Sequence, residues 1–189
     1  MVSFCRSGLL ALTLVGGLVT EAAGQTQRIQ HRFWASDVTR ERLQDNSVLT
    51  EYFGESSAEN PKNAVLRVGF IPRFGCAPLI TMKFGLTDAA SDSQTPVRNP
   101  ADLNMLSVNI DGTALPFPLL LDRDADHVSV YLNANLQRRL TTKLRIEVGN
   151  RMYVRTRNGE AIRFSLLGSR DAISIAHQNC RRHDPSVQG

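Results

Sequence analysis

The acidic segment "DRDADH" contains Asp122, Asp124, Asp126 and His127. Alternating aspartates begin the calcium loop of an EF-hand, whose oxygen ligands suit Ca²⁺. That loop also needs a glycine and a bidentate glutamate, at positions where this sequence has His127 and Asn133. The segment is therefore interpreted as a solvated turn between two strands, and weak binding of a divalent ion is the alternative.

Acid–base catalysis is the other chemistry that this segment could support. His127 beside Asp126 is the best acid–base pair, but the sequence has no GxSxG serine, no HExxH motif and no phosphate loop ending in GK[ST]. The other histidines lack metal-ligand spacing on one helix face: His31, His177 and His183. The sequence therefore predicts no catalytic residue, no metal centre and no cofactor, and we interpret the chain as non-enzymatic.

The N-terminal segment, residues 1–24, has the form of a secretory signal peptide. Arg6 supplies a positive charge, residues 8–19 form an uncharged apolar run, and small residues follow. The run is short for a membrane span, so we expect cleavage near residues 23–25 and export to the periplasm, with further secretion as an option. An uncleaved anchor is the alternative.

Cleavage would leave two cysteines, Cys76 and Cys180. Because exported proteins fold in an oxidising compartment, this pair predicts one disulfide. For a closed loop of about a hundred residues, chain entropy gives about 4–5 kcal/mol of stabilisation. Cys180 is interpreted as a staple for the C-terminal helix, and a redox-active thiol is the alternative.

The length and charge of the chain limit its domain organisation and the kinds of partner that it could bind. The chain has 189 residues and a formal net charge of +4, which survives cleavage because Arg6 and Glu21 cancel. We expect one domain over residues 25–180 and a flexible tail over 181–189. No later segment is apolar enough to span a membrane, and no nucleic-acid recognition module is present, so neither a transmembrane segment nor a nucleic-acid partner is predicted. The mild basicity favours an anionic envelope surface.

Hairpin signals dominate the mature chain. Asp111-Gly112 tolerates the positive φ angles of a tight turn between two apolar arms within residues 103–121, and Asn158-Gly159 does the same later. Residues 36–42 allow two interpretations, a short helix capped by Ser36 or an edge strand that begins at Trp34. Further strands are predicted at residues 64–74, 76–86, 127–132, 143–149, 151–156 and 160–166.

Two helices are predicted among these strands. The first, residues 133–142, has Asn133 as its cap and places Leu136 and Leu140 on one face. The second begins with Ser169 as its cap and buries a stripe: Ala172, Ile173, Ala176 and Cys180. Four aromatic residues are interpreted as core, with a binding groove as the alternative: Trp34, Phe70, Phe74 and Phe84. The predicted fold is β-rich α+β, an antiparallel sheet or sandwich with a C-terminal helix tied to it by one disulfide.

The segment "RFSLLGSRDAISIAHQNC" resembles the C-terminal signature of small secreted proteobacterial envelope proteins. It is similar to the endings of type VI secretion-associated periplasmic proteins and related uncharacterised families, in which a strand leads into a helix whose cysteine pairs with one in a central strand. The matching residues are Phe164, Ser165, Leu166, Gly168, Ala172, Ile173, Ala176 and Cys180, with Cys76 in "FGCAP" as the partner. The resemblance covers about a tenth of the mature chain and implies an exported role near a secretion apparatus.

These observations predict a non-enzymatic exported accessory protein that binds another envelope protein, as part of a secretion or transfer apparatus. The predicted binding surfaces are residues 87–102 and the turn at residues 122–127. The alternatives are a periplasmic module that binds a small molecule or metal ion, and a hydrolase with an unrecognised site. The sequence specifies no oligomeric state.

Overall fold

The computed structural model describes residues 28–59, 64–85, 107–115, 119–123, 127–132, 134–155 and 161–185. The predicted signal peptide lies outside these ranges. Within them the strands are β1 (Ile29–His31), β2 (Trp34–Arg42), β3 (Val48–Ser57), β4 (Ala64–Phe70), β5 (Leu79–Gly85), β6 (Ser107–Ile110), β7 (Thr113–Leu115), β8 (Leu119–Arg123), β9 (His127–Leu132), β10 (Arg151–Arg155) and β11 (Ala161–Ser165). The helices are α1 (Leu136–Val148), α2 (Ser169–Arg182) and a 3-10 turn (Pro72–Phe74). No helix of the described ranges is long and apolar enough to cross a membrane.

Seven strands form an antiparallel sheet in the order β1-β2-β3-β4-β5-β9-β8. Strand β4 shows the alternation that builds it: Leu66 and Val68 are fully buried on one face, and Arg67 between them faces the other way. Strand β2 settles the open interpretation of residues 36–42, because it is a strand and not a helix. It pairs with β1 and β3, so it lies inside the sheet and not at its edge.

Four strands form a second antiparallel sheet in the order β11-β10-β6-β7. The predicted hairpin at Asp111-Gly112 is confirmed, with φ angles of 46° and 86° at the two turn residues. Its second arm is shorter than predicted, since β7 ends at Leu115 and β8 joins the first sheet instead. Pro116 and Pro118 stand between them in the sequence, and proline cannot donate a ladder hydrogen bond.

Both sheets and α2 share one hydrophobic core. The Trp34 indole N–H of the first sheet donates to the Ser165 carbonyl of the second at 2.8 Å. Trp34, Phe70 and Phe84 are buried as core residues, whereas Phe74 is exposed. The predicted α+β architecture is thereby confirmed: two antiparallel sheets with a C-terminal helix against them.

Helix α2 packs on the first sheet with the predicted stripe inward. Ala172, Ile173, Ala176 and Cys180 are at most 1% exposed. The helix approaches β3 so closely that a Cβ at Gly54 would lie 3.1 Å from the Ala172 carbonyl carbon. The predicted disulfide joins Cys180 to Cys76, with 5.9 Å between the two Cα atoms, so the staple is confirmed.

Helix α1 differs from its prediction at both ends. Its N-cap is Asn135, whose side chain accepts from the Arg138 backbone N–H at 3.0 Å, and not Asn133. It continues to Val148, so the strand predicted over residues 143–149 is wrong. Leu144, Ile146 and Val148 alternate with polar residues in the sequence, which imitates a strand, but a four-residue spacing also extends the helical pattern from Leu136.

The cap of α2 also corrects the sequence interpretation. Gly168 occupies the N-cap position with a φ of 95°, where a Cβ would overlap the carbonyl oxygen of His31. Ser169 is the first helical residue instead, and its hydroxyl donates to the Ile146 carbonyl of α1 at 2.7 Å. At the other end the helix continues to Arg182, two residues into the predicted tail, and His183 stacks on Tyr52 at 5.4 Å.

Candidate functional site

The predicted aspartate–histidine group lies at the β8–β9 hairpin. Asp122 is in β8 opposite Ser129, and His127 begins β9 opposite Gly85 of β5. The intervening Asp124 and Asp126 lie outside the described residues, as does the predicted binding segment 87–102. The predictions for these surfaces therefore remain predictions. In the described ranges, no three His, Cys, Asp or Glu side chains are grouped so that they could hold a metal ion.

Two of the other histidines pack against aromatic rings. His177 on α2 stacks on Phe70 with 4.8 Å between ring centroids, and His183 stacks on Tyr52. Burial lowers the pKa of His177, and the nearby charges of Lys143 and Arg181 lower it further. Burial raises the pKa of Tyr52. These contacts place both imidazoles in packing roles.

A cluster of charged side chains covers part of the first sheet on the face away from α2. Arg67 donates to Glu55 at 2.8 Å and to Glu51 at 3.4 Å, and its guanidinium lies 3.6 Å from the centroid of the Phe53 ring. Arg28 also donates to Glu55 at 2.8 Å. Burial raises the pKa of Glu51, although Arg67 opposes that shift. Because both glutamates have guanidinium partners, this cluster is interpreted as structural.

Helix α1 presents the least expected surface, a row of four apolar side chains that point to solvent. We call it the outward row. Its members are 38–64% exposed: Leu136 48%, Leu140 38%, Leu144 58% and Val148 64%. A four-residue step turns about 40° on a helix, so the row covers about 120° of the helix surface. An exposed set of large apolar residues at this spacing is typical of a binding surface.

The rest of α1 explains why the row points outward. Ile146 and Thr142 are the residues of α1 that pack inward, and both are buried. Ile146 lies about 200° around the helix from Leu144, so burial of one exposes the other. Lys143 and Glu147 form an ion pair of 2.7 Å beside the row, with side chains only 13% and 11% exposed. The charged side chains of Lys143 and Glu147 are therefore less exposed to solvent than the apolar side chains of the row.

Contacts at both ends hold α1 in this orientation. Ser169 at the start of α2 donates to the Ile146 carbonyl, and Arg139 donates to the Pro78 carbonyl at 3.3 Å. The Asn135 cap satisfies a backbone N–H of the first turn. The outward row thus belongs to a helix that is fixed to the body of the domain.

A groove of about 260 Å³ runs beside the row, between α1 and the outermost strand β7. Its floor contains Leu115, Leu132 and Ala134, and its α1 wall carries Arg138 and Arg145. Gln137, Thr141, Thr142 and Ala114 complete the lining. The groove and the row together offer apolar area with positive charge along one side.

Sequence reasoning missed this site because it ended the helix too early. Leu136 and Leu140 were correctly placed on one face, but Leu144 and Val148 were assigned to a strand. The signal was present in the spacing 136, 140, 144 and 148, supported by the Lys143–Glu147 pair at i,i+4. The local sequence does not indicate which face of α1 is buried.

No protein-family model matches this chain, and no similar protein was found among curated proteins or solved structures.

Proposed function

We propose that this chain is an exported accessory protein that binds another envelope protein through the outward row of α1. The observation that carries the proposal is the orientation of α1, which exposes Leu140, Leu144 and Val148 while it buries Ile146. A partner that covers the row would remove these side chains from water. The proposal keeps the binding role predicted from the sequence and assigns it to α1, which the sequence had not identified as a binding surface.

The energetics require that the interface extend beyond the row. Complete burial of a large apolar side chain yields about 1.5–3 kcal/mol, so four half-exposed ones supply roughly 3–6 kcal/mol. Association costs about 4–15 kcal/mol in lost translational and rotational freedom. The row alone therefore does not support a stable complex, and the adjoining groove provides the additional contact area.

The Cys76–Cys180 disulfide supports the proposed location. Structural disulfides form and persist in oxidising compartments, of which the bacterial periplasm is one. Together with the predicted signal peptide, this supports a periplasmic protein, and the resemblance of its C-terminal segment favours a role beside a secretion or transfer apparatus.

The direct test is chemical cross-linking of the tagged protein in its native envelope, followed by mass spectrometry of what co-purifies. Leu144→Ser should abolish the specific cross-linked partner. Val48→Ser is the matched control, because Val48 is 54% exposed on the first sheet against 58% for Leu144. Equal recovery of the partner from both variants would contradict the proposal.

A further inference from the structure

We propose that the partner of α1 is an acidic amphipathic protein segment, whose apolar side chains cover the outward row and whose carboxylates pair with Arg138 and Arg145. This inference rests on the binding function proposed for α1 and names the chemistry of its partner. The juxtaposition that carries it is the outward row beside a groove with an apolar floor, and two arginines that line this groove about 100–120° around the helix from Leu144.

Arg138 and Arg145 are placed so that one bound segment could contact both. They are seven residues apart, which is about 10 Å along the axis and within about 20° of the same direction around it. Both line the groove. Two carboxylates about two helical turns apart on a bound segment would match this spacing.

These charges have no carboxylate partner among the described residues. The ion pairs of the described ranges join other residues, and none includes Arg138 or Arg145. The acidic residue of α1, Glu147, is already paired with Lys143. None of the described residues that line the groove is acidic. An anionic partner would therefore gain attraction here without displacing an existing ion pair.

The dimensions of the groove favour side chains of a protein over a free ligand. Small-molecule sites commonly have volumes of about 300–1,000 Å³ and enclose most of the ligand. This groove is about 260 Å³, and Gln137 and Thr141 of its α1 wall neighbour Leu140 and Leu144 of the row at i,i+3 spacing. It suits one or two large apolar side chains from a segment that lies across α1.

Charge and shape distinguish this partner from two others. In a two-fold pair of this chain with antiparallel α1 helices, the side of α1 that carries Arg138 and Arg145 would face the same side of the second copy. The arginines of the two copies would then repel each other. A parallel pair would set them against the Lys143–Glu147 pair, which is already neutral. A flat lipid surface would touch the row but would leave the floor at Leu115 and Leu132 uncovered.

The experiment is panning of a random, helix-biased peptide library against the purified, disulfide-bonded protein. We expect selected peptides to combine apolar residues at i and i+4 with Asp or Glu on one side. The double variant R138E/R145E should bind these peptides at least about tenfold more weakly and should select Lys and Arg in their place. R42E/R163E is the control, since it changes the net charge equally at exposed arginines outside the site.

The panning experiment and two further measurements distinguish the possible partners of α1. If Leu144→Ser abolishes peptide binding but R138E/R145E selects the same peptides as the parent, the acidic partner is wrong and the binding function of α1 survives. If Leu144→Ser leaves peptide binding unchanged, the proposed function fails. A dimer in analytical ultracentrifugation that Leu144→Ser dissociates would overturn the inference in favour of a second copy. Sedimentation with phosphatidylglycerol vesicles that depends on Leu144 would overturn it in favour of a membrane.

Discussion

Helices α1 and α2 lie beside each other and orient their apolar side chains in opposite directions. The stripe of α2 is at most 1% exposed and faces the sheet, whereas the outward row of α1 is 38–64% exposed and faces solvent. Ser169 of α2 donates to the Ile146 carbonyl of α1, so the two helices are also joined directly. Amphipathic spacing therefore indicates a face that is to be covered, but not whether the same chain covers it.

The difference in exposure suggests different roles for the two helices. Helix α2 has small residues at its contact with β3, where Gly54 permits a close approach, and it carries the disulfide. Helix α1 contributes Ile146 and Thr142 to the interior and keeps its leucines outside. Stability should thus depend on α2, and recognition on α1.

The largest expected effect breaks the anchor of α2. Cys180→Ser opens a loop with a sequence separation of 104 residues, and for such a loop chain entropy predicts a loss of about 4–5 kcal/mol in the free energy of unfolding. Urea denaturation monitored by circular dichroism measures it. Reduced parent protein is the control and should unfold like the variant. A variant as stable as the oxidised parent would refute the view that this bond anchors α2.

The next effect compares equivalent truncations on the two helices. Ile173→Ala removes a fully buried side chain and should cost about 2–5 kcal/mol. Leu144→Ala removes a side chain that is 58% exposed, and it should change the free energy of unfolding by no more than about 0.5 kcal/mol. Both are measured by urea denaturation of the oxidised protein. Equal losses would show that the outward row is part of the core.

The smallest effect concerns His177 of α2, which stacks on Phe70, and it depends on pH. Burial and the charge of Lys143 hold the pKa of His177 below its ordinary value of 6.5. The unfolded chain therefore binds a proton at this site more readily, so stability should fall as the pH drops from 6.5 through the folded-state pKa. His177→Gln should flatten the dependence of the melting temperature on pH in that window. An unchanged dependence would contradict this role for His177.

The part of the architecture that local chemistry dictates was predictable from the sequence. The Asp111-Gly112 hairpin, the α2 stripe and the Cys76–Cys180 bond follow from turn propensity, helical spacing and cysteine count. The extent of α1 was not predictable in this way, because Leu144, Ile146 and Val148 satisfy a strand period and a helix period at once.

The cap of α2 and the orientation of α1 depend on distant residues. Ser169 could cap a helix, but Gly168 takes that position beside the His31 carbonyl, and the serine hydroxyl bonds to α1 instead. Only the tertiary fold determines that Ile146 is buried and the leucines of the same helix are not. The spacing of the row was therefore visible in the sequence, but its exposure to solvent was not.

The most direct test of binding through α1 is site-specific photo-cross-linking in the native envelope. A photoreactive residue placed at Leu144 should cross-link to a discrete protein partner, and one placed at Gln178, an exposed position on α2, should not. A partner captured from Leu144 alone would establish that α1 is the binding helix. Capture from Gln178 but not from Leu144, or equal capture from both, would contradict it.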